Sequence, residues 1–159
     1  MNQPTPFIIT GLDPAPFKPL FGKGEAALKA LGVYRYRADS RSGFPCRITL
    51  EDAPVGRSLL LVNHVSRTDD GPYRASHAIF VAEDAVEAAR FENAVPPLMQ
   101  GRVLSLRGFD REGMMAQAEL CQPGEADAAL RRLLTERTIV EVDIHTAVRG
   151  CFLARARRA

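Results

Sequence analysis

The sequence lacks several features by which protein functions are commonly recognised. Its 21 basic and 19 acidic residues leave a formal net charge of only +2 over 159 residues. A charge so close to zero does not fit a dedicated nucleic-acid binder, so we expect no nucleic-acid partner. The longest apolar runs, residues 59–62 and 78–82, are too short to cross a bilayer. We therefore expect no membrane partner.

Cysteines are few, and a targeting segment is not evident. Cys46, Cys121 and Cys151 form an odd, sparse set that does not suit the disulfide framework of a secreted protein. The opening MNQPTPFIITGL has neither the basic n-region nor the apolar h-region of a signal peptide. These observations predict a cytoplasmic protein. There is also no phosphate-binding loop, dinucleotide fingerprint, nucleophile elbow or HExxH motif, so no short motif assigns a reaction.

The composition is that of a folded domain, with 46% hydrophobic and 25% charged residues. No repeat, low-complexity tract or linker divides the chain, which predicts a single domain over residues 1–159. Apolar patterns predict strands over residues 7–11, 33–38, 46–50, 58–65, 78–83, 102–109, 114–121, 138–145 and 151–157. Helical patterns occur over residues 25–31, over 84–90 and after Gly124. We predict an α+β fold with a mainly antiparallel sheet and two or three helices.

The last two predicted strands form a hairpin around a five-residue loop. If His145 faces Cys151, Ile144 lies opposite Phe152 and every pair on that face is apolar. A slip of one residue would turn Asp143 towards the core. Opposed side chains lie about 4.5–5.5 Å apart at Cβ, so this register would bring the imidazole to the thiol.

A thiol next to an imidazole has three interpretations, one of which is that the pair contacts a ligand without taking part in any reaction. A neighbouring imidazolium makes a thiolate a useful nucleophile, with His145 as the base and Cys151 or Cys46 as the nucleophile. Alternatively, Cys151 is a small buried hydrophobe and His145 a hydrogen-bonded residue at a strand end. Cys46, Cys151, His64 and His145 together would also make a zinc site, but the close spacings typical of such sites are missing. We therefore predict no cofactor and no metal, with zinc as the alternative.

Four arginines lie in or beside predicted strands rather than on solvated helices: Arg47, Arg74, Arg102 and Arg107. The planar guanidinium group suits carboxylate and phosphate, so several that converge would form an anion pocket. The alternative is ordinary surface charge paired with Asp or Glu.

The run GFPCRITLEDA at residues 43–53 resembles the GxPCRxSLxDA signature of a bacterial family, the domain-of-unknown-function 1203 family. Further similarity extends over nearly the whole chain, including residues 60–64, 73–76, 79–81, 102–110, 113–115 and 145–159. The resemblance implies a single-domain, cytoplasmic bacterial protein and implies no activity. It maps to the polar or reactive residues Cys46, Arg47, His64, Tyr73, Arg74, Arg102, Arg107, His145 and Cys151.

Two departures from the family pattern concern histidines. The family has His-Asn-Ala where this chain has His145-Thr146-Ala147, and Ser-Gly where it has Ser76-His77. An asparagine could have oriented the histidine for catalysis, and Thr146 does so less well.

Three hypotheses follow. In the first, a small anionic metabolite or nucleotide is held by Arg47, by Arg74 and by either Arg102 or Arg107, and Tyr73 and His64 orient it. In the second, a Cys–His enzyme acts at the same cleft, with Cys151, His145 and Cys46 as candidate catalytic residues. In the third, the chain is a homodimeric interaction module, with an exposed apolar patch and no polar cleft. We favour them in that order.

Overall fold

The protein is described here from a computed structural model of residues 3–159. The strands are β1 (Phe7–Thr10), β2 (Tyr34–Arg37), β3 (Pro45–Cys46), β4 (Glu51–Asp52), β5 (Ser58–Arg67), β6 (Ala75–Ala82), β7 (Arg90–Glu92), β8 (Leu104–Phe109), β9 (Met115–Cys121), β10 (Glu141–Thr146) and β11 (Phe152–Arg158). The helices are α1 (Glu25–Ala30), α2 (Pro97–Gln100) and α3 (Ala126–Thr135), with a 3₁₀ turn at Lys18–Leu20. The α+β class is thus confirmed. Among these described helices, none is both long and apolar enough to cross a membrane.

The larger sheet has six strands in the order β7-β1-β11-β10-β8-β9, all paired antiparallel. Helix α3 packs on it, because its buried stripe includes Leu130 and Leu134 on one side. These side chains share a core with Leu106 of β8 and with Val142 and Ile144 of β10. The amphipathic pattern after Gly124 therefore predicted this helix and its buried face correctly.

The smaller sheet has five strands in the order β2-β5-β6-β3-β4, antiparallel except where β3 runs parallel to β6. Leu60 and Val62 of β5 and Ile79 and Val81 of β6 form a second core with Leu28 of α1. The two sheets touch where β6 approaches β11. The single predicted sheet is therefore two sheets, each with its own core.

An ionic cluster joins the sheets. Asp143 of β10 has no exposed surface, and its carboxylate accepts hydrogen bonds from Arg155 of β11 at 2.5 Å and Arg67 of β5 at 3.0 Å. Glu141 also pairs with Arg67 at 3.0 Å. The Arg67 guanidinium lies 3.6 Å from the centre of the Phe109 ring, a cation–π contact. Buried charges are tolerated because they are paired in this way.

Two predicted elements are wrong. Residues 46–50 are not a strand: after Cys46 the chain turns, and Leu50 has a positive φ of 54°. The turn is required because Ile48 belongs to the second core and Leu50 to the first. Residues 84–90 are not helical, because the backbone of Ala89 makes its hydrogen bonds with distant segments instead. Ala89 N donates to Ile48 O and Ala89 O accepts from Gly11 N, both at 2.8 Å.

The predicted register of the last hairpin is also wrong. Ile144 pairs with Ala154 rather than Phe152, and a β-bulge after Ile144 places His145 opposite Phe152. The shift of two residues keeps the same side chains on the apolar face, so burial alone could not distinguish the registers. Consequently His145 does not face Cys151.

Candidate functional site

A cleft of about 830 Å³ opens beside the smaller sheet. One wall comes from the end of β2 and the chain leading into β3, and another from the middle of β6. The lining is completed by Leu61 of β5, by residues 101–103, and by the end of β10 with the loop that follows it. The cleft therefore lies where segments of both sheets meet.

Arg47 is the buried cation of this cleft. It directly follows β3, is only 4% exposed, and donates from Nε to Phe152 O at 2.9 Å and from Nη1 to Pro45 O at 2.7 Å. Within residues 3–159 its Nη2 makes no hydrogen bond and no carboxylate lies within 4.0 Å of the guanidinium. Burial lowers the pKa of Arg47 to about 10, so it still carries its charge at neutral pH. A buried charge normally has an ionic partner, and Arg47 has none among the residues described.

Arg102 lines the same cleft, but both of its terminal nitrogens make hydrogen bonds to the protein. Its Nη1 and Nη2 donate to the Asp52 carboxylate at 2.9 and 2.6 Å. The same nitrogens also donate to Leu98 O at 2.5 Å and Ser42 O at 2.7 Å. Arg102 thus fixes the loops around the cleft, and Asp52 balances its charge.

Two further arginines that the sequence analysis did not select also line the cleft. Arg37 is exposed and donates to Gly56 O at 2.9 Å, whereas Arg149 is exposed and makes no side-chain hydrogen bond within the described part of the chain. Asp39 is the one acidic residue among the described lining residues. No local pattern in the sequence indicates that Arg149 lies near Arg37, because the two residues are far apart along the chain.

The cleft also has an aromatic wall. Phe80 of β6 packs against Phe44 with ring centres 5.2 Å apart, and Tyr36 meets the same ring edge-on at 5.5 Å. All three residues line the cavity. Such a wall can pack against the flat face of a ligand ring.

The three cysteines are free and differ in accessibility. Cys151 lines the cleft, is partly exposed, and has only a 3.9 Å contact from its sulfur to Arg149 O. Cys46 is completely buried in the second core, where its sulfur accepts a hydrogen bond from Ala82 N at 3.3 Å. Cys121 is buried in the first core, and desolvation raises the pKa of its thiol.

His145 lies in the interior between the sheets and is 2% exposed. Its Nδ1 lies 2.9 Å from Gly150 O, which can only accept, so Nδ1 carries the proton. Burial lowers the pKa of His145 to about 4, with a further contribution from the charge of Arg107. The ring meets His77 edge-on at 5.0 Å. Within residues 3–159 no hydrogen bond joins it to Cys151.

The remaining candidates lie outside the cleft. His64 lines a separate cavity of about 650 Å³ beside Phe17. Tyr73 packs edge-on against Phe109, and Arg74 donates to Thr68 O on the surface. Arg107 donates to Ser105 Oγ at 3.2 Å. The structure therefore brings together only Arg47, Arg102 and Cys151 of the predicted site.

The zinc alternative has no geometric support in the part of the chain that the structure describes. No group of three or more His, Cys, Asp or Glu side chains there is placed to hold a metal ion. Cys46 and His64, two of the four residues considered, do not line the cleft that contains Cys151.

Comparison with known proteins identifies a family without a described activity. The family described as protein of unknown function (DUF1203) matches residues 43–158. This range contains Arg47, Arg102, Arg149 and Cys151, whereas Tyr36 and Arg37 precede it. Comparisons with curated proteins and with solved structures gave no match. The matched range covers most of the chain, which therefore belongs to the DUF1203 family.

Proposed function

We propose that the cleft binds a small anionic metabolite or nucleotide, with Arg47 as the residue that pairs with its negative charge. One observation carries the proposal: a guanidinium that is 4% exposed borders a cleft and has no carboxylate partner within residues 3–159. Burial of an unpaired cation is unfavourable, and an anionic ligand would relieve that cost. The free Nη2 of Arg47 is the donor that such a ligand would use.

The rest of the lining supports the same ligand class. Arg149 and Arg37 add positive charge at the exposed side of the cleft, with only Asp39 opposing them among the described lining residues. Phe44 and Phe80 offer a surface for a planar ring. A volume of about 830 Å³ lies within the range of small-molecule sites. A nucleoside monophosphate combines the ring and the charge that this lining favours.

The two alternatives have less support. A Cys–His enzyme needs the thiol within hydrogen-bond reach of its base, whereas His145 is bonded to Gly150 O and faces Phe152. A homodimeric interaction module would have buried cysteines and no polar cleft. Cys151 is instead partly exposed in a cleft that contains arginines, which favours binding of a small anionic ligand. A bacterial origin and a cytoplasmic location remain part of the proposal, and three free thiols suit a reducing compartment.

Thermal unfolding with three probes tests the proposal. Adenosine monophosphate supplies both an aromatic ring and a negative charge. Inorganic phosphate supplies only the charge, and adenosine supplies only the ring. We expect adenosine monophosphate to raise the Tm most and adenosine least. A ligand at 100 times its Kd stabilises the native state by about 2.7 kcal/mol, which is a shift of several degrees for a chain of this length.

Variants locate the binding. Arg47→Met should abolish the shift, and Arg149→Gln, which removes an exposed group without side-chain hydrogen bonds, should reduce it. Arg111→Gln is the matched control, because Arg111 is also exposed but lies on the β8–β9 turn, at the far end of the strand from the cleft. A shift that persists in Arg47→Met, or one equally reduced in Arg111→Gln, would contradict the proposed site.

A further inference from the structure

We propose that Cys151 is a modification site at which small anionic disulfides, of the glutathione disulfide type, undergo thiol–disulfide exchange. The inference rests on the proposed function in one respect, because it uses the same cationic cleft to attract the disulfide. It does not require that the bound metabolite itself reacts.

The first argument is accessibility. Cys151 is the one cysteine of the three that is not buried. Within the described residues no group donates a hydrogen bond to its sulfur, which makes only a weak contact with a carbonyl oxygen. Cys46 and Cys121 are buried in the two cores, so a disulfide cannot reach either sulfur in line with the S–S bond that must break. The chain therefore contains two internal controls for selectivity.

The second argument is the placement of charge around the thiol. Arg47 donates to the carbonyl of Phe152, the residue directly after Cys151, so its guanidinium is anchored beside the cysteine backbone. Burial lowers the pKa of Arg47 to about 10, and the nearby Cys151 group offsets a smaller part of that lowering. Arg149 lies two residues before Cys151 and has no ionic partner among the described residues. Both cations attract the carboxylates of an approaching disulfide.

The chemistry balances without any further reagent. The thiolate sulfur of Cys151 attacks one sulfur of the disulfide, and a new S–S bond forms as the old one breaks. The leaving sulfur takes the electron pair and then a proton from water. Cys151 is oxidised to a mixed disulfide, and one molecule of the small thiol is the reduced product. His145 has no role in this step, because its Nδ1 is hydrogen-bonded to Gly150 O and no hydrogen bond joins it to Cys151 within residues 3–159.

Three symmetrical disulfides of different charge test the proposal on the full chain at pH 8. Glutathione disulfide is anionic, bis(2-hydroxyethyl) disulfide is neutral and cystamine is cationic. Intact mass spectrometry with peptide mapping gives the rate and the site of modification. Each rate is divided by the rate of N-acetylcysteine amide, a thiol without a carboxylate, with the same disulfide, which corrects for the intrinsic reactivity of the reagent.

We expect a single glutathionyl group on Cys151, absent in Cys151→Ser. The normalised rate for glutathione disulfide should exceed that for cystamine by about tenfold or more, the lower range of electrostatic rate enhancement. Added salt should reduce this preference, because it screens the charges. Arg149→Gln should reduce it as well, whereas Arg111→Gln should leave it unchanged.

Modification of Cys46 or Cys121 before Cys151, or equal normalised rates for the three disulfides, would overturn the proposal. The Cys151→Ser variant separates this failure from that of the proposed function. If it still shows the Tm shift with adenosine monophosphate while the wild-type thiol shows no charge preference, only the exchange reaction is refuted. If neither effect is found, both proposals fail.

Discussion

Arg47 and His145 are both buried basic side chains, but they differ in whether they carry a charge at neutral pH. The guanidinium keeps its charge because its pKa, although lowered by burial, stays at about 10. The imidazole is neutral at pH 7 because burial lowers its pKa to about 4. Its Nδ1–H donates a hydrogen bond to Gly150 O. The first residue therefore offers a permanent charge to the cleft, whereas the second is a neutral part of the interior.

The histidine makes a pH-dependent contribution to stability. The pKa of His145 is about 4 in the folded protein, against an ordinary value of 6.5. Between these values the unfolded chain binds more protons than the folded one, so stability falls as the pH decreases from 6.5 to 4. A difference of that size corresponds to up to about 3 kcal/mol over the whole window.

Urea unfolding at pH 7, 5.5 and 4 measures this contribution. We expect His145→Asn, whose amide can still donate to Gly150 O, to show a flatter pH dependence than the wild type. Carboxylates titrate in both proteins, so the difference between the two curves isolates the histidine. Parallel curves would mean that His145 is not the group responsible.

At the scale of elements, the paired charges of β5, β10 and β11 are a main link between the sheets. Asp143 receives Arg67 from one sheet and Arg155 from its own. Such a cluster is not necessarily more stable than an apolar contact, but removal of Asp143 takes away the fully buried carboxylate that both arginines contact. Arg67 and Arg155 would then share the Glu141 carboxylate, and Arg67 would keep the exposed Asp69.

We therefore expect Asp143→Ala to lower the free energy of unfolding by about 3–5 kcal/mol. Glu119→Ala is the matched control, because Glu119 forms an ion pair with Arg132, and the Arg132 side chain is largely exposed. Such surface pairs contribute about 0–1 kcal/mol. Urea unfolding of both variants at pH 7 gives the comparison, and equal losses would show that the buried cluster does not hold the sheets together.

The sequence predicted most elements, and its errors share a physical origin. Strands with alternating patterns and the amphipathic α3 were found because each has one apolar face. Residues 46–50 were mistaken for a strand because Ile48 and Leu50 are both buried, although in different cores. The hairpin register failed because a shift of two residues preserves the apolar face. Local patterns report burial, but they do not report which core receives a side chain.

At the scale of the whole molecule, the position of Arg47 depends on a contact with the first strand. A Cβ at Gly11 would lie 2.0 Å from Ile48 O, so only glycine permits the chain after β1 to approach this closely. Leu12 N then donates to Arg47 O at 2.8 Å. Arg47 and Cys151 could be selected from the sequence because their side chains bind anions or react. The contact with Gly11 and Leu12 that positions Arg47 could not be predicted, because no local sequence pattern indicates it.

Gly11→Ala should therefore affect both stability and the cleft. The methyl group would collide with backbone, so we expect a loss of about 1–3 kcal/mol or more, as for other overpacked sites. The displaced turn should also reduce the Tm shift produced by adenosine monophosphate. Gly71→Ala is the control, because a Cβ there would meet no atom within 4 Å. A Gly11→Ala protein as stable as this control would show that the turn can move freely.

The order of strands in the larger sheet has a consequence for biosynthesis. β1 lies between β7 and β11, and Phe7 pairs with Arg158 near the other end of the described chain. A ribosome makes β1 first and must complete β11 before that pairing can form. Until then Phe152 O is not available to anchor Arg47. If the proposed anionic ligand binds at Arg47, a nascent chain should acquire affinity for it only after β11 has emerged, so a stalled shorter chain would not compete for that ligand.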